Sequence, residues 1–177
     1  VGEVTDRDLA LAGRITQLAT ERGLEPDLER THEVSAWVPA SPEDVYALVS
    51  NVPRTGEWSP TCRSAEWHDP AQTGVGALFT GHNDDGKRQW TSTSKVTAAE
   101  PGERFEWEVN DGATRWGYVL TPHEGGTLVT HTWHFTERGH AFFMEKFPKP
   151  LVGMAKREQA ARKDMPITLT RIARLLG

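Results

Sequence analysis

The polar side chains with the most chemical potential in this 177-residue chain stand singly among apolar neighbours. His131 lies in the run Val129-Thr130-His131-Thr132-Trp133-His134-Phe135. Strand alternation puts Val129, His131, Trp133 and Phe135 on one face of that run. An imidazole with its ordinary pKa near 6.5 suits proton transfer around neutrality. Tyr118, two residues from Trp116 and from Leu120, could donate a hydrogen bond to a carbonyl oxygen and polarise it for enolisation. Asn83 shares a face with Phe79, with Gly81 between them, and could hold the same oxygen or position a water. His131, Tyr118 and Asn83 form the candidate catalytic set.

The same alternation yields a lining around them. Phe79 comes first, then Trp90, Ser92 and Ser94 with Val96, then Trp107 between Phe105 and Val109, then Trp116 and Trp133. With Met154 from the C-terminal helical stretch, Phe79, Trp90, Ser92, Ser94, Trp107, Trp116 and Trp133 are the candidate ligand-binding residues. Many aromatics with few polar groups suit a flat, mostly apolar molecule held in a fixed orientation. Other groupings carry less chemistry. His131 and His134 are three apart and so face opposite sides of a strand, and no Cys or carboxylate cluster completes a metal site. No metal is expected. Gly74-Val75-Gly76 reads as a turn and fits neither a phosphate loop nor a dinucleotide fingerprint. Cys62 has no base beside it in sequence and reads as structural.

These side chains need elements to position them. A first strand is expected over residues 31–38. Ser41 then caps a helix, Pro42 fits its first position, and Asp44 completes a capping box. Val45, Leu48 and Val49 mark the apolar face of that helix. Residues 51–54 break it, and a short helical turn leads toward Trp58. Strands follow over 63–67, 76–83, 89–98, 104–109, 113–120 and 127–135. Asp84-Asp85-Gly86, Glu100-Pro101-Gly102, Asn110-Asp111-Gly112 and Glu124-Gly125-Gly126 separate the last five. Turn signals at that spacing with short loops predict consecutive antiparallel pairing. Phe142, Phe143, Met144 and Phe147 form an apolar cluster ended by Pro148 and Pro150. Leu151, Met154, Ala161, Met165, Leu169, Ile172 and Leu176 then recur at helical steps. Pro166 should kink that helix or split it near Lys163. At the other end, residues 6–22 read as an amphipathic helix with Thr5 and Asp8 as a capping pair and Gly23 as its stop, followed by a polar linker to residue 30. The chain thus divides into an N-terminal helix and linker (1–30) and one ligand-binding domain (31–177).

Composition limits the partners. A net charge of −5 argues against nucleic-acid binding. The basic excess near the C-terminus reads as a solvated helix face. No run of about 18 apolar residues is present to span a membrane. The N-terminus lacks an apolar segment of the signal-peptide kind. A single cysteine allows no intrachain disulfide and agrees with a reducing compartment. The expected location is the cytoplasm, with a homodimer through the N-terminal helix as one route to assembly.

Several segments together resemble one superfamily. They are Pro39-Ala40-Ser41-Pro42-Glu43 with Val45-Tyr46, Glu57-Trp58-Ser59-Pro60, Gly74-Val75-Gly76 with Phe79, Gly81 and Asn83, Trp90, Glu100-Pro101-Gly102-Glu103-Arg104-Phe105, Trp116-Gly117-Tyr118, and Gly125-Gly126-Thr127-Leu128-Val129-Thr130. In this order they resemble the START-like (SRPBCC) superfamily, in its polyketide cyclase/dehydratase-like branch, over residues 31–176. The resemblance implies an α+β helix-grip fold. A curved antiparallel sheet of six or seven strands would wrap a long C-terminal helix and enclose a cavity for an apolar ligand. The N-terminal helix is an addition to that pattern. Members share a cavity but no catalytic motif. Two readings of activity stay open: a cofactor-independent cyclase, aromatase or dehydratase acting on a polyketide-derived molecule, and a non-catalytic carrier of a hydrophobic ligand. A protein-interaction module is a third.

Overall fold

The computed structural model describes residue 14, residues 30–146 and residues 150–177. The helix expected over 6–22 lies outside the described residues except for Arg14.

The first described element, β1 (Arg30–Val38), leads into α1 (Pro42–Val49). Ser41 is extended (φ −64°, ψ 154°) and accepts a hydrogen bond from the Asp44 N–H at 3.1 Å. Its hydroxyl donates to the Asp44 carboxylate at 2.7 Å. The cap forms as the spacing predicts, but Asp44, one methylene shorter than Glu, closes on the Ser41 hydroxyl. Val45, Leu48 and Val49 are the buried face. A 3-10 segment (Val52–Glu57) brings Trp58 into the core, where it is 1% exposed.

Six strands follow: β2 (Cys62–Trp67), β3 (Leu78–Asp84), β4 (Gln89–Glu100), β5 (Arg104–Val109), β6 (Thr114–His123) and β7 (Gly126–Phe135). The sheet order is β1-β7-β6-β5-β4-β3-β2, and each neighbouring pair is antiparallel. Consecutive hairpins build β2 to β7, and only β1 crosses to pair with β7. The β5–β6 turn runs through positive φ at Asn110, Asp111 and Gly112, as its Asn-Asp-Gly sequence favours. A bulge between Val96 and Ala98 interrupts the β4–β5 register. Such bulges bend a strand and increase its twist.

Two helices close the inner face. Helix α2 (Glu137–Lys146) was not expected as a separate element. Its signal is Thr136, whose Oγ1 accepts from the Gly139 N–H at 3.0 Å and donates to the Gly112 carbonyl at 2.6 Å. Gly139 sits so close to the Ala113 carbonyl that a Cβ there would collide with it. Helix α3 (Pro150–Leu176) runs uninterrupted for 27 residues and packs chiefly on β1. The expected split at Pro166 does not occur. Ala161 and Met165 before the proline, and Leu169 and Ile172 after it, are buried on one continuous face. Burial of that face, at about 25 cal/mol per Å² of apolar surface, outweighs one lost backbone hydrogen bond.

The core has two parts. One gathers Val38, Val45, Leu48, Trp58, Phe105, Tyr118, Leu120, Val129, Leu169 and Ile172. The other gathers Trp133, Phe135, Phe143, Met154, Ala161 and Met165.

Candidate functional site

Register carries the inward side chains into rows across the sheet. One row runs His32, Trp133, Trp116, Trp107, Val96, and the next runs Val34, His131, Tyr118, Phe105. A third joins Ala36, Val129 and Leu120. Rings in these rows touch: Tyr118 stacks on His131 with centroids 4.5 Å apart and planes 24° apart. Trp116 lies 5.5 Å from His131, Trp107 5.8 Å from Tyr118, and Phe79 6.5 Å from Trp107. Two-residue alternation therefore brought His131, Tyr118, Trp107, Trp116 and Trp133 onto one surface. Burial is uneven along it. Trp133, Phe79, Ser94, Met154 and Phe105 are buried, whereas Trp90, Ser92, Trp107 and Trp116 keep part of their surface accessible.

His131 is 4% exposed, and neither ring nitrogen has a hydrogen-bond partner. Burial pushes its pKa down to about 3, and the nearby His32 adds to the fall. The backbone of Met165, on α3, is close enough to oppose the shift slightly but makes no well-formed hydrogen bond with the ring. The near-neutral pKa expected for this residue is therefore corrected: in the ligand-free protein the ring is neutral across the physiological range. A neutral imidazole offers one N–H and one lone pair. Both are unmatched here, at a cost of roughly 1–3 kcal/mol per buried group.

Tyr118 is 3% exposed. Burial pushes its phenol well above the usual range, a hydrogen bond with the Trp58 side chain pulls it back, and Cys62 pushes it up again. The indole N–H can only donate, so with Trp58 as its neighbour the phenol keeps its own proton to give. Trp58 is thus a site neighbour that strand reasoning missed, because it sits in the turn before β2. Cys62 donates to the Ser64 carbonyl at 3.2 Å, and burial pushes its thiol up. That agrees with a structural thiol.

Asn83 is tied to its own hairpin. Its amide N–H₂ lies 3.1 Å from Ser92 Oγ and 3.2 Å from the Gly81 carbonyl. Asn83 and Ser92 therefore meet each other, near the turn of the β3–β4 hairpin, rather than His131. Trp90 pairs with Asn83 across the hairpin. The guanidinium carbons of Arg88 and Arg157 lie 5.0 and 5.9 Å from the Trp90 ring centroid. Arg157, on α3, was read as part of a solvated helix face, but burial holds its pKa below the usual arginine range. Only the packing of α3 on the sheet reveals it.

Two surface clefts lie elsewhere. One, of about 340 Å³, is lined by Pro39, Ala40, Asp44, Ala47, Leu48, Arg54, Leu175 and Leu176. The other, of about 700 Å³, lies between the start of α1, the β4–β5 turn and β6. Neither contains a residue of the expected site. Among the described residues no group of three or more His, Cys, Asp or Glu is placed to hold a metal ion. No helix among them is long and apolar enough to cross a membrane.

A curved seven-stranded antiparallel sheet whose aromatic inner face is closed by a long C-terminal helix defines the helix-grip class. The chain belongs to the polyketide cyclase / dehydrase and lipid transport family, whose model matches residues 29–176. A Polyketide_cyc-like protein from Corynebacterium glutamicum, solved by solution NMR, is 42% identical, with 86% of this chain and 93% of that chain covered and a TM-score of 0.63. The Zhui aromatase/cyclase from Streptomyces sp. R1128 shares the fold at 16% identity, with 82% and 92% covered and a TM-score of 0.66. The di-domain ARO/CYC StfQ of the steffimycin biosynthetic pathway shares it at 14% identity, with 99% of this chain and 62% of that chain covered and a TM-score of 0.65. No curated protein matches the sequence.

Proposed function

We propose that this protein takes a planar, largely apolar, polyketide-derived molecule against the inner face of its sheet and acts on it as a cofactor-independent cyclase, aromatase or dehydratase. The observation that carries the proposal is His131, buried with both ring nitrogens unpartnered and stacked on the Tyr118 ring. A ligand oxygen reaching the edge of the His131 ring would satisfy nitrogens that the fold leaves unmatched. The phenol O–H would donate to a ligand carbonyl and favour its enol form. His131 would take the proton from the ligand carbon beside that carbonyl as negative charge develops on the oxygen, and return it to the hydroxyl that leaves as water or to the product, since nearby negative charge raises the basicity of a buried imidazole. Asn83 would act at the rim through its carbonyl oxygen, its N–H₂ being engaged with Ser92 and Gly81. Phe79, Trp90, Ser92, Ser94, Trp107, Trp116, Trp133 and Met154 would enclose the ligand, which would enter where Trp90, Trp107 and Trp116 retain solvent access.

Titration with flat polyphenols tests binding. Quenching of tryptophan fluorescence and a rise in Tm are expected; neither at high micromolar ligand would overturn the proposal. His131→Phe then tests catalysis. Turnover of a poly-β-ketone substrate should fall by about 10²–10⁴-fold with binding largely kept. Unchanged turnover would remove His131 from the mechanism. A second reading, a carrier that binds without reacting, is favoured by the low basicity of His131 in the free protein. It predicts binding with no conversion in wild type. In either reading the protein works in the cytoplasm, as its lone cysteine suits. Dimerisation through residues 6–22 would appear as a halved mass in light scattering when residues 1–29 are removed.

A further inference from the structure

Arg157 is a half-buried cation on α3 with no ion pair among the described residues; Arg171, half-buried on the same helix, at least donates to the Ser59 carbonyl at 3.0 Å. The Arg157 guanidinium, with five N–H donors, makes no hydrogen bond or ion pair among the described residues. It rests instead on two rings, 5.9 Å from Trp90 and 5.9 Å from Phe143. The adjacent acid on α3, Glu158, is already held by Arg30 at 2.8 Å and Arg162 at 3.0 Å. Asp164, the next acid on that helix, accepts from Thr61 at 2.6 Å. Across the gap, Asp85 attracts Arg157, but it also pairs with Arg88 at 3.4 Å and accepts from the N–H groups of Lys87 and Arg88. Two guanidiniums thus share one ring and one carboxylate, leaving an excess positive charge over Trp90. Cation–π contact recovers only about 0.5–2 kcal/mol, and partly desolvating a charge without a counter-ion is costly. The excess lies at the accessible end of the inner face, beyond the polar pair of Asn83 and Ser92.

We infer that Arg157 and Arg88 bind an oxyanion, carboxylate or phosphate, carried on one end of the ligand whose apolar body lies along Trp90, Trp107 and Trp116. The inference rests on the ligand-binding reading above and narrows it: the ligand is an amphiphile with a flat apolar body and an anionic end. Arg157 sets which way round it lies, with its uncharged end toward His131.

Two fluorescent probes of similar ring system separate this inference from the reading it rests on. Anilinonaphthalene sulfonate carries the anion; phenylnaphthylamine has the same rings without it. Both should bind wild type, the sulfonate more tightly, and only the sulfonate should weaken with added salt. Arg157→Gln should weaken the sulfonate roughly tenfold or more and leave the neutral probe within about twofold, since a hydrogen-bonded charge contact is worth about 1.5–3 kcal/mol. Arg157→Lys should restore part of the loss. Should Arg157→Gln fail to fold, Arg88→Gln at the exposed partner carries the same test with a smaller, several-fold loss. Displacement of the sulfonate by naphthoate or by naphthyl phosphate tells which oxyanion is preferred. Equal displacement by uncharged naphthol would overturn the inference. So would equal loss of both probes in Arg157→Gln, or no salt dependence in wild type, and each would leave the ligand-binding reading standing. Failure of both probes to bind wild type would overturn the ligand-binding reading itself.

Discussion

Acidification should expose the buried state of His131 directly. The folded protein holds the ring neutral down to about pH 3, whereas the unfolded chain protonates it near 6.5. Between those values the unfolded chain binds a proton that the folded protein refuses. Stability must therefore fall as pH falls, by about 1.4 kcal/mol per pH unit. At pH 4.5, about two units below the unfolded pKa, His131 alone removes about 2.7 kcal/mol, and the loss reaches about 4 kcal/mol by pH 3. That is a large part of the 5–15 kcal/mol typical of a folded domain. Carboxylates add to the acid loss. Glu158 is one, where burial opposes but the hydrogen bonds from Arg30 and Arg162 prevail and hold it below its ordinary value. A comparison across one substitution cancels them. Phe at position 131 keeps a ring beside Tyr118 and removes the titration. Urea unfolding of wild type and His131→Phe at pH 7.0 and 4.5, followed by circular dichroism, gives four stabilities. The wild type should lose about 2–3 kcal/mol more between the two pH values than the variant does. Any uniform cost of fitting the larger ring appears at both pH values and drops out. Equal losses would show that His131 finds a partner or protonates within the fold, and the burial argument would fail with the proposed role.

Two further outcomes probe the elements that close the inner face. Pro166→Ala restores an N–H able to reach the Arg162 carbonyl in a helix that is already continuous, and should raise stability by about 1–3 kcal/mol in urea unfolding; a loss would mean that the proline relieves a strain within α3. Gly139→Ala drives a methyl into the Ala113 carbonyl and should cost about 1–3 kcal/mol, with faster amide exchange across 137–146; unchanged exchange would show that α2 does not depend on this close approach.

Local chemistry and period determined much of this protein. The Ser41 cap with Pro42, the Asn110-Asp111-Gly112 turn, and two-residue alternation in β4 to β7 each act over a few residues. Each was legible without a partner in space. So was the inward face of His131 and Tyr118, because a strand has only two faces and one of them carried the apolar residues. Tertiary structure decided what those side chains are. His131 lost its ordinary basicity because the folded chain buries it and sets His32, from β1, nearby, and nothing local to His131 in the sequence announces that surrounding. Tyr118 gained Trp58 from a turn 60 residues away. Arg157, one charge among several on a basic helix, became a half-buried cation over Trp90 only when α3 docked on the sheet. Pro166 did not split α3 for the same reason: the propensity against proline is local, and the apolar face that carries the helix through it is not. Spacing sets which way a side chain points, while protonation and unmet hydrogen bonds depend on what the rest of the chain lays on top of it.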